Sequence, residues 1–137
     1  MKKKIFSSAL LLLFLFSCNS NLKQKEVAIN ALKTWGNLSE IEIKSYGFKY
    51  FKTSDREAYT WIADYYSKQA HEDASYSAEA ANYAYKEVEK YNSLIEKSQG
   101  NLEFCKIEFY KVETDTIHKG IIILNDKNVV VFKRSFK

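Results

Sequence analysis

The sequence predicts an α+β domain in which helices pack on an antiparallel sheet. Residues 55–97 contain no proline or glycine and place their apolar side chains at helical spacing. Three runs rich in β-branched and aromatic residues follow, at 102–112, 117–124 and 129–136. The links between these runs are too short for parallel crossovers, which predicts a three-stranded antiparallel meander. The helical segment is the only element large enough to cover such a sheet.

A helix is also expected at the start of the folded domain, over residues 22–35. Asn21 can cap this helix and Gly36 can end it. Its apolar face would consist of Ala28, Ile29, Leu32 and Trp35. Because that face is modest, a mobile stalk over the same residues is the alternative.

Between residues 38 and 52 the apolar residues alternate with a period of two, which is typical of a strand. The phase of the alternation shifts between Ile43 and Tyr46. One extra residue produces such a shift, so we expect a strand bent near Ser45 with Gly47 easing the bend. Two short strands are the alternative.

The long helical segment begins with a capping box, because Ser54 is followed three residues later by Glu57. Its two apolar stripes are separated by polar residues 69–75. The segment is therefore one long kinked helix or two helices hinged near residues 73–77, and the interruption favours two. The apolar runs on both sides of the last turn predict that the final hairpin is central and covered on both faces.

The first eighteen residues have the pattern of a secretory leader. Three lysines at 2–4 precede an apolar run at 5–16, and small Ser17 stands directly before Cys18. A transmembrane helix needs about 20 apolar residues, so this run is too short to span a bilayer. Cleavage of the leader is therefore expected.

The sequence Leu15-Phe16-Ser17-Cys18 resembles the lipobox of bacterial lipoproteins. The resemblance implies cleavage before Cys18 and attachment to the membrane through acyl chains on this cysteine. It divides the chain into a cleaved signal peptide at 1–17, a lipidated tether at 18–21 and a single α+β domain at 22–137. An ordinary signal peptide followed by an unmodified cysteine is the alternative.

The residue after the cysteine is Asn19 and not aspartate. By the sorting pattern common in the lipoprotein family, this implies a place in the cell envelope at the outer membrane, facing the periplasm. The three residues 19–21 reach on the order of 10 Å, so the folded domain would sit close to the bilayer.

Removal of the leader also changes the charge of the protein. Residues 1–17 hold three lysines and no acid, so the 21 Lys and Arg residues fall to 18 against 17 Asp and Glu. A nearly neutral domain lacks the basic face that nucleic-acid binding requires. Nucleic acid is therefore excluded as a partner.

The sequence contains no recognisable catalytic or metal-binding motif. After acylation of Cys18, Cys105 is the one remaining thiol, so no internal disulfide is expected. Its place in a predicted strand is typical of a buried structural cysteine. No motif places His71 or His118 beside it, and no phosphate loop, nucleophile elbow or metal-ligand spacing is present. We expect no cofactor and no metal.

Three tyrosines of the helical segment, Tyr59, Tyr66 and Tyr85, fall off its apolar stripe. Tyrosine combines a large apolar ring with a polar tip and suits interfaces, so these are the candidate binding residues. The alternative is that they are core residues whose hydroxyl groups reach solvent.

The sequence Asp115-Thr116-Ile117 resembles the Asp-Thr-aliphatic pattern of O-glycosylation sites in some bacterial lipoproteins, which implies Thr116 as a glycan acceptor.

The order of elements resembles that of the cystatin-like and NTF2-like α+β rolls, in topology only. A shared fold implies no function. We therefore expect a non-catalytic binding module of the envelope that recognises a protein or small ligand near the membrane. One alternative is a small enzyme whose pocket between helix and sheet uses His118 or Cys105 with a nearby carboxylate. The other is a structural spacer or inhibitor-like protein.

Overall fold

The computed structural model describes the backbone of residues 6–136 and the side chains of residues 21–135. Within these residues the chain forms four helices and one four-stranded antiparallel sheet, which confirms the predicted α+β class. The helices are α1 (Phe6–Gly36), α2 (Glu40–Lys44), α3 (Asp55–Asp73) and α4 (Ala78–Lys97). The strands are β1 (Gly47–Ser54), β2 (Glu103–Glu113), β3 (Thr116–Leu124) and β4 (Val130–Phe136).

Helix α1 confirms the helix expected over residues 22–35 and begins well before it, at Phe6. Asn21 lies inside α1, so its predicted role as the helix cap is wrong. The backbone of residues 18–21, expected to be a tether, is also helical. The side chain of Cys18 lies outside the described residues, so its acylation stays a prediction.

The strand expected over residues 38–52 is wrong in its first half, which forms α2. A capping box begins this helix. Ser39 Oγ accepts a hydrogen bond from the Glu42 backbone N–H at 3.3 Å, and the Glu42 carboxylate accepts one from the Ser39 N–H at 2.8 Å. The helical turn buries Ile43 and leaves Ile41 82% exposed. The strand therefore begins only at Gly47, and the shift in periodicity marks a helix followed by a strand.

The long helical segment forms two helices, as the interruption of its apolar stripes predicts. Ser54 caps α3 through the expected capping box, in which its Oγ accepts from the Glu57 N–H at 3.2 Å. The chain turns at residues 74–77 around buried Asp73. The Tyr76 hydroxyl donates to the Asp73 carboxylate at 2.5 Å, and the Tyr76 N–H donates to the Asp73 carbonyl at 3.0 Å. These bonds hold the hinge between α3 and α4.

The four strands lie in the sheet in their sequence order, β1-β2-β3-β4, and every neighbouring pair is antiparallel. Strands β2, β3 and β4 form the predicted meander. The final hairpin is not central, however, because β4 is an edge strand. Its apolar residues are explained by helices on both faces of the sheet.

The molecule has three layers, since successive side chains of a strand point to opposite faces. Ile123 and Phe132 pack against α3 and α4, whereas Ile122 and Leu124 pack against α1 and α2. The sequence predicted α3 and α4 as the cover of the sheet and did not assign the second face to α1.

Candidate ligand-binding groove

The α3–α4 hairpin covers only one end of its sheet face. At the covered end, Phe104 and Ile123 are buried against the helices. Towards the β2–β3 turn the same face carries Tyr110, Val112 and Ile117, which are 40%, 66% and 48% exposed. An apolar sheet surface is therefore left open beside the helices.

This opening, which we call the distal groove, has a volume of about 600 Å³. Ligand pockets commonly measure about 300–1,000 Å³, so the groove is large enough for a small molecule. It is lined by Lys49, Glu108, Phe109, Tyr110, Val112, Ile117, Lys119, Gly120 and Ile121.

Cross-strand pairing sets the floor of the distal groove. Val112 pairs with Ile117, which joins two exposed aliphatic side chains across β2 and β3. On the other side of β2, Tyr110 pairs with Gly47, and a Cβ atom at Gly47 would overlap the Tyr110 ring. The ring therefore rests against the bare backbone of β1. Lys49 Nζ lies 5.8 Å from the centroid of this ring.

The charges around the distal groove are predominantly positive. Glu108 is its one acidic lining residue, and Glu108 Oε1 lies 3.4 Å from Lys106 Nζ. Lys49 and Lys119 form no ion pair with any described side chain. They flank β2 from β1 and β3, so two strand spacings separate their backbones by roughly 10 Å. The groove thus offers an apolar floor between two ammonium groups that form no ion pair with residues 21–135.

The distal groove lies at the end of the sheet away from the first described side chains of α1. Asn21 lines a cavity together with Cys105, so the first described side chains of α1 lie near the Cys105 end of β2. At the opposite end, Trp35 lies near His118, which is close to the β2–β3 turn. Val112 belongs to the strand end that enters this turn. In a chain anchored at residue 18, the distal groove would therefore lie at the end of the domain away from the anchor.

The three predicted binding tyrosines are not brought together at a surface. Tyr66 is only 5% exposed, so the prediction that it lies off the core face is wrong. Its ring stacks on Tyr91 at a centroid distance of 6.1 Å, and Tyr59, which is half-buried, contacts the same ring at 6.1 Å. Tyr85 is exposed and lies edge-on to His71 on the outer side of the helical hairpin. Only Tyr85 is positioned for contact with a partner.

Thr116, the predicted glycan acceptor, is exposed at the beginning of β3. It follows the two-residue turn of Thr114 and Asp115, whose φ angles of 37° and 63° are those of a type I′ hairpin turn. The hydroxyl is therefore accessible at the tip of a hairpin. Its glycosylation stays a prediction.

The structure does not bring a histidine to Cys105, although Glu113 Oε2 lies 3.9 Å from His118 Nε2. Burial raises the pKa of the Cys105 thiol, which disfavours the reactive thiolate. Cys105 pairs with Leu124, and His118 pairs with Lys111 six residues further along β2. Six residues of a strand span roughly 20 Å. His71 lies in α3, on the opposite face of the sheet.

Among the side chains of residues 21–135, no three His, Cys, Asp or Glu residues are close enough to hold a metal ion. In the part of the chain that the structure describes, no helix has both the length and the apolar character needed to cross a membrane.

Comparison with protein-family models, with curated proteins and with solved structures found no match to this chain. The case for the distal groove therefore comes from its geometry and charge.

Proposed function

We propose that the protein is a lipid-anchored, non-catalytic binding module whose distal groove takes an anionic amphiphile, a molecule with an apolar chain and a carboxylate. The observation that carries the proposal is the exposed apolar floor between Lys49 and Lys119. An exposed apolar surface rimmed by polar groups is typical of a binding site. The two lysines select the sign of the charge that is accepted.

The floor and the lysines make different contributions to binding. Burial of apolar surface contributes about 25 cal/mol per Å² and does not depend on the charge of the ligand. Each lysine attracts a carboxylate at 4 Å by about 1 kcal/mol in water and by more where water is excluded. An ammonium ligand with the same apolar chain would be stabilised equally by burial of that chain, but the two lysines would repel its charge. A preference for the carboxylate ligand over the ammonium ligand therefore distinguishes the proposed site from an exposed apolar surface without charge selectivity.

The lipobox-like leader supports the membrane attachment in this proposal. Acyl chains on Cys18 would hold the domain at the bilayer, and stable attachment takes more than one chain. Because the distal groove lies away from the start of α1, it would open towards the aqueous side. A Cys18→Ser variant is expected to leave the membrane fraction, which separates the anchoring claim from the binding claim.

The binding claim is tested with the acylated protein in lipid nanodiscs by saturation-transfer difference NMR. Octanoate and octylammonium are the probes, since they share a chain and differ in charge. We expect saturable transfer to octanoate and at least tenfold weaker binding of octylammonium. The variant Val112→Asp places a carboxylate in the groove and should abolish the octanoate signal.

The matched control is Ile41→Asp, which replaces another exposed aliphatic residue, on α2, with the same carboxylate. Both variants have the same background from the nanodisc lipids, so only Val112→Asp should change binding. Equal binding of the two probes would contradict the proposal. Loss of octanoate binding in both Val112→Asp and Ile41→Asp would also contradict it. No saturable binding of either probe would favour the structural spacer.

A further inference from the structure

A cleft lies between α1 and α2, on the opposite face of the sheet from the distal groove. This α1–α2 cleft has a volume of about 320 Å³. Lys25 of α1 and Lys44 of α2 line it from the two helices, and Phe48 of β1 contributes an aromatic ring from the sheet. The other lining residues are Ile29, Glu40, Ile43 and Tyr46.

The two lysines of the α1–α2 cleft form no ion pair with any side chain of residues 21–135. Glu40, the one acidic lining residue, is bonded to Lys33 Nζ. Lys33 holds the pKa of the Glu40 carboxyl below its ordinary value, and Lys44 adds a smaller effect. Lys25 Nζ lies 5.8 Å from the centroid of the Phe48 ring, which keeps this ammonium group over the cleft. The cleft therefore attracts an anion.

Each of these lysines is accompanied by an exposed aliphatic side chain. Leu22 of α1 is 61% exposed and Ile41 of α2 is 82% exposed. Leu22 precedes Lys25 by three helical residues, so the two side chains lie on one side of α1. Ile41 precedes Lys44 by the same interval in α2. The surface around the cleft thus combines positive charge with apolar groups that face water.

This combination matches the surface of an anionic bilayer. An exposed aliphatic side chain is stabilised when it enters the headgroup region of a membrane. A lysine beside it can lay its apolar stem along the same region while its ammonium group reaches the lipid phosphates. A soluble phosphate compound would use the two lysines but would leave Leu22 and Ile41 in water. A lipid phosphate belongs to a surface that takes up both kinds of group.

The distribution of charge over the domain favours the same orientation. Residues 21–54, which form α1, α2 and the edge strand β1, hold six lysines and three glutamates. Residues 55–97, which form the α3–α4 hairpin on the other face of the sheet, hold nine Asp and Glu against five Lys and Arg. An anionic bilayer attracts the first side of the domain and repels the second.

The position of the proposed anchor brings the α1–α2 cleft close to the bilayer. Leu22 follows Cys18 by four residues, and because the backbone between them is helical this interval spans about 6 Å. Acyl chains on Cys18 would hold α1 near the headgroups at a high effective concentration. A contact that is weak by itself is then sufficient to orient the domain.

We propose that the α1–α2 cleft docks on anionic membrane lipid, with a lipid phosphate between Lys25 and Lys44 and with Leu22 and Ile41 in the headgroup region. The strength of this docking rests on the membrane attachment proposed above. The docking surface shares no residue with the distal groove. In the docked orientation the sheet lies between the bilayer and the groove, so the groove opens to the aqueous side.

Paramagnetic relaxation enhancement tests the docking with the acylated protein in nanodiscs. Nanodiscs of phosphatidylcholine alone are compared with nanodiscs of phosphatidylcholine and phosphatidylglycerol in equal parts, and both carry a trace of lipid with a spin label on its headgroup. The methyl signals of Ile29 and Ile41 report on the cleft, and those of Val112 and Ile117 report on the other face of the sheet. We expect phosphatidylglycerol to raise the relaxation rates of the cleft methyls at least threefold more than those of the groove methyls.

A pair of double variants separates the cleft from net charge. Each lysine near an anionic surface raises membrane affinity by roughly fivefold. Lys25→Gln with Lys44→Gln should therefore lose most of the relaxation that depends on phosphatidylglycerol. The matched control is Lys49→Gln with Lys119→Gln, which removes two charges from the other face of the sheet and should retain it.

The variants Ile41→Asp and Val112→Asp form a second matched pair, with their roles exchanged relative to octanoate binding. Ile41→Asp places a carboxylate at the docking surface and should reduce the relaxation of Ile29 at least threefold in nanodiscs that contain phosphatidylglycerol. Val112→Asp places the same group in the distal groove and should leave this relaxation unchanged.

Three results would overturn the proposal. The first is equal relaxation of the cleft methyls in the two lipid compositions. The second is an equal loss in the two double variants, which would show an effect of net charge alone. The third is saturable binding of glycerol 3-phosphate, followed by the Ile29 methyl shift in phosphatidylcholine nanodiscs, because the ligand would then be a free phosphate ester.

Failure of the membrane attachment gives a different result from failure of the docking. A protein that does not enter the nanodisc fraction would refute the attachment. The same relaxation measurement is then made with vesicles of the two lipid compositions, in which the cleft should still prefer phosphatidylglycerol. A protein that enters the nanodiscs, or meets the vesicles, without this preference would refute the docking.

Discussion

Substitution of Gly120 tests the packing between the sheet and the α1 layer. Gly120 lies in the interior strand β3, directly opposite Phe109 of β2. A Cβ atom at this position would overlap the Phe109 ring. That ring is buried and packs edge-on against Tyr46 at a centroid distance of 6.0 Å. An added Cβ atom must therefore displace a packed aromatic side chain, and Gly120→Ala should be destabilising.

The size of the effect follows from two opposing contributions. Overpacking of a well-packed core costs about 1–3 kcal/mol. Replacement of a strand glycine by alanine returns roughly 0.5–1 kcal/mol through the lower entropy of the unfolded chain. These contributions allow a net loss of up to about 2.5 kcal/mol in the free energy of unfolding. Because the Cβ atom would overlap three atoms of the ring, we expect a loss of about 1–2 kcal/mol, which corresponds to a fall in Tm of about 3–10 °C for a domain of this size.

Gly47→Ala is the matched control, because Gly47 also lies opposite an aromatic ring that its Cβ atom would overlap. That ring belongs to Tyr110, which is partly exposed and can swing into solvent. We expect a change within about 0.5 kcal/mol, as for most surface substitutions. Urea unfolding followed by circular dichroism measures both variants. Equal losses in the two, or wild-type stability of Gly120→Ala, would refute the idea that a buried ring rests on Gly120.

Two further predictions concern α3 and the tyrosines. The Ser54 backbone N–H holds the pKa of the Glu57 carboxyl below its ordinary value, so the stabilisation by Glu57 is present above about pH 4.5 and disappears as the pH falls through the lowered folded-state pKa. Glu57→Gln should therefore lower stability at pH 7 and match the wild type at strongly acidic pH in urea titrations; a constant difference would contradict this reasoning. Tyr66→Ala should cost about 3–5 kcal/mol, as for buried aromatics, and Tyr85→Ala less than about 0.5 kcal/mol. Thermal unfolding compares the two, and similar Tm values would place both rings at the surface.

The elements with a repeated local signal could be predicted from the sequence. The capping box at Ser54, the interrupted apolar stripes and the three β-rich runs gave α3, α4 and the meander with nearly correct bounds. Helix α2 was missed because five residues are too few for a helical period to appear. Its signal was the spacing of Ser39 and Glu42, which forms a capping box like that of α3.

Tyr66 was misplaced because α3 buries more than one side of its surface. A single apolar stripe is expected when a helix packs on one neighbour. Tyr66 contacts Tyr83 of α4 as well as Phe132 of β4, at centroid distances of 6.3 and 6.1 Å. Its hydroxyl also accepts a hydrogen bond from Arg134 Nη2 at 3.3 Å. A helix wedged between a second helix and a sheet has a buried face wider than the stripe.

The distal groove could not be predicted because it depends on contacts between distant segments. The distal groove exists because the α3–α4 hairpin leaves Val112 and Ile117 uncovered, and the extent of this cover is a tertiary property. No local pattern in the sequence carries this information.

The order of strands in the sheet also has a consequence for how the chain folds. Strands β2 and β3 are joined by two residues, whereas the 48 residues 55–102 separate β1 from β2. Closing the longer loop costs roughly 3 kcal/mol more in chain entropy if the loop is still disordered. The meander should therefore form early, and β1 should dock once the helical hairpin has shortened the path. In native-state hydrogen exchange, β1 would then be the first strand to open. In pulse-labelled refolding, β1 would be the last strand to gain protection.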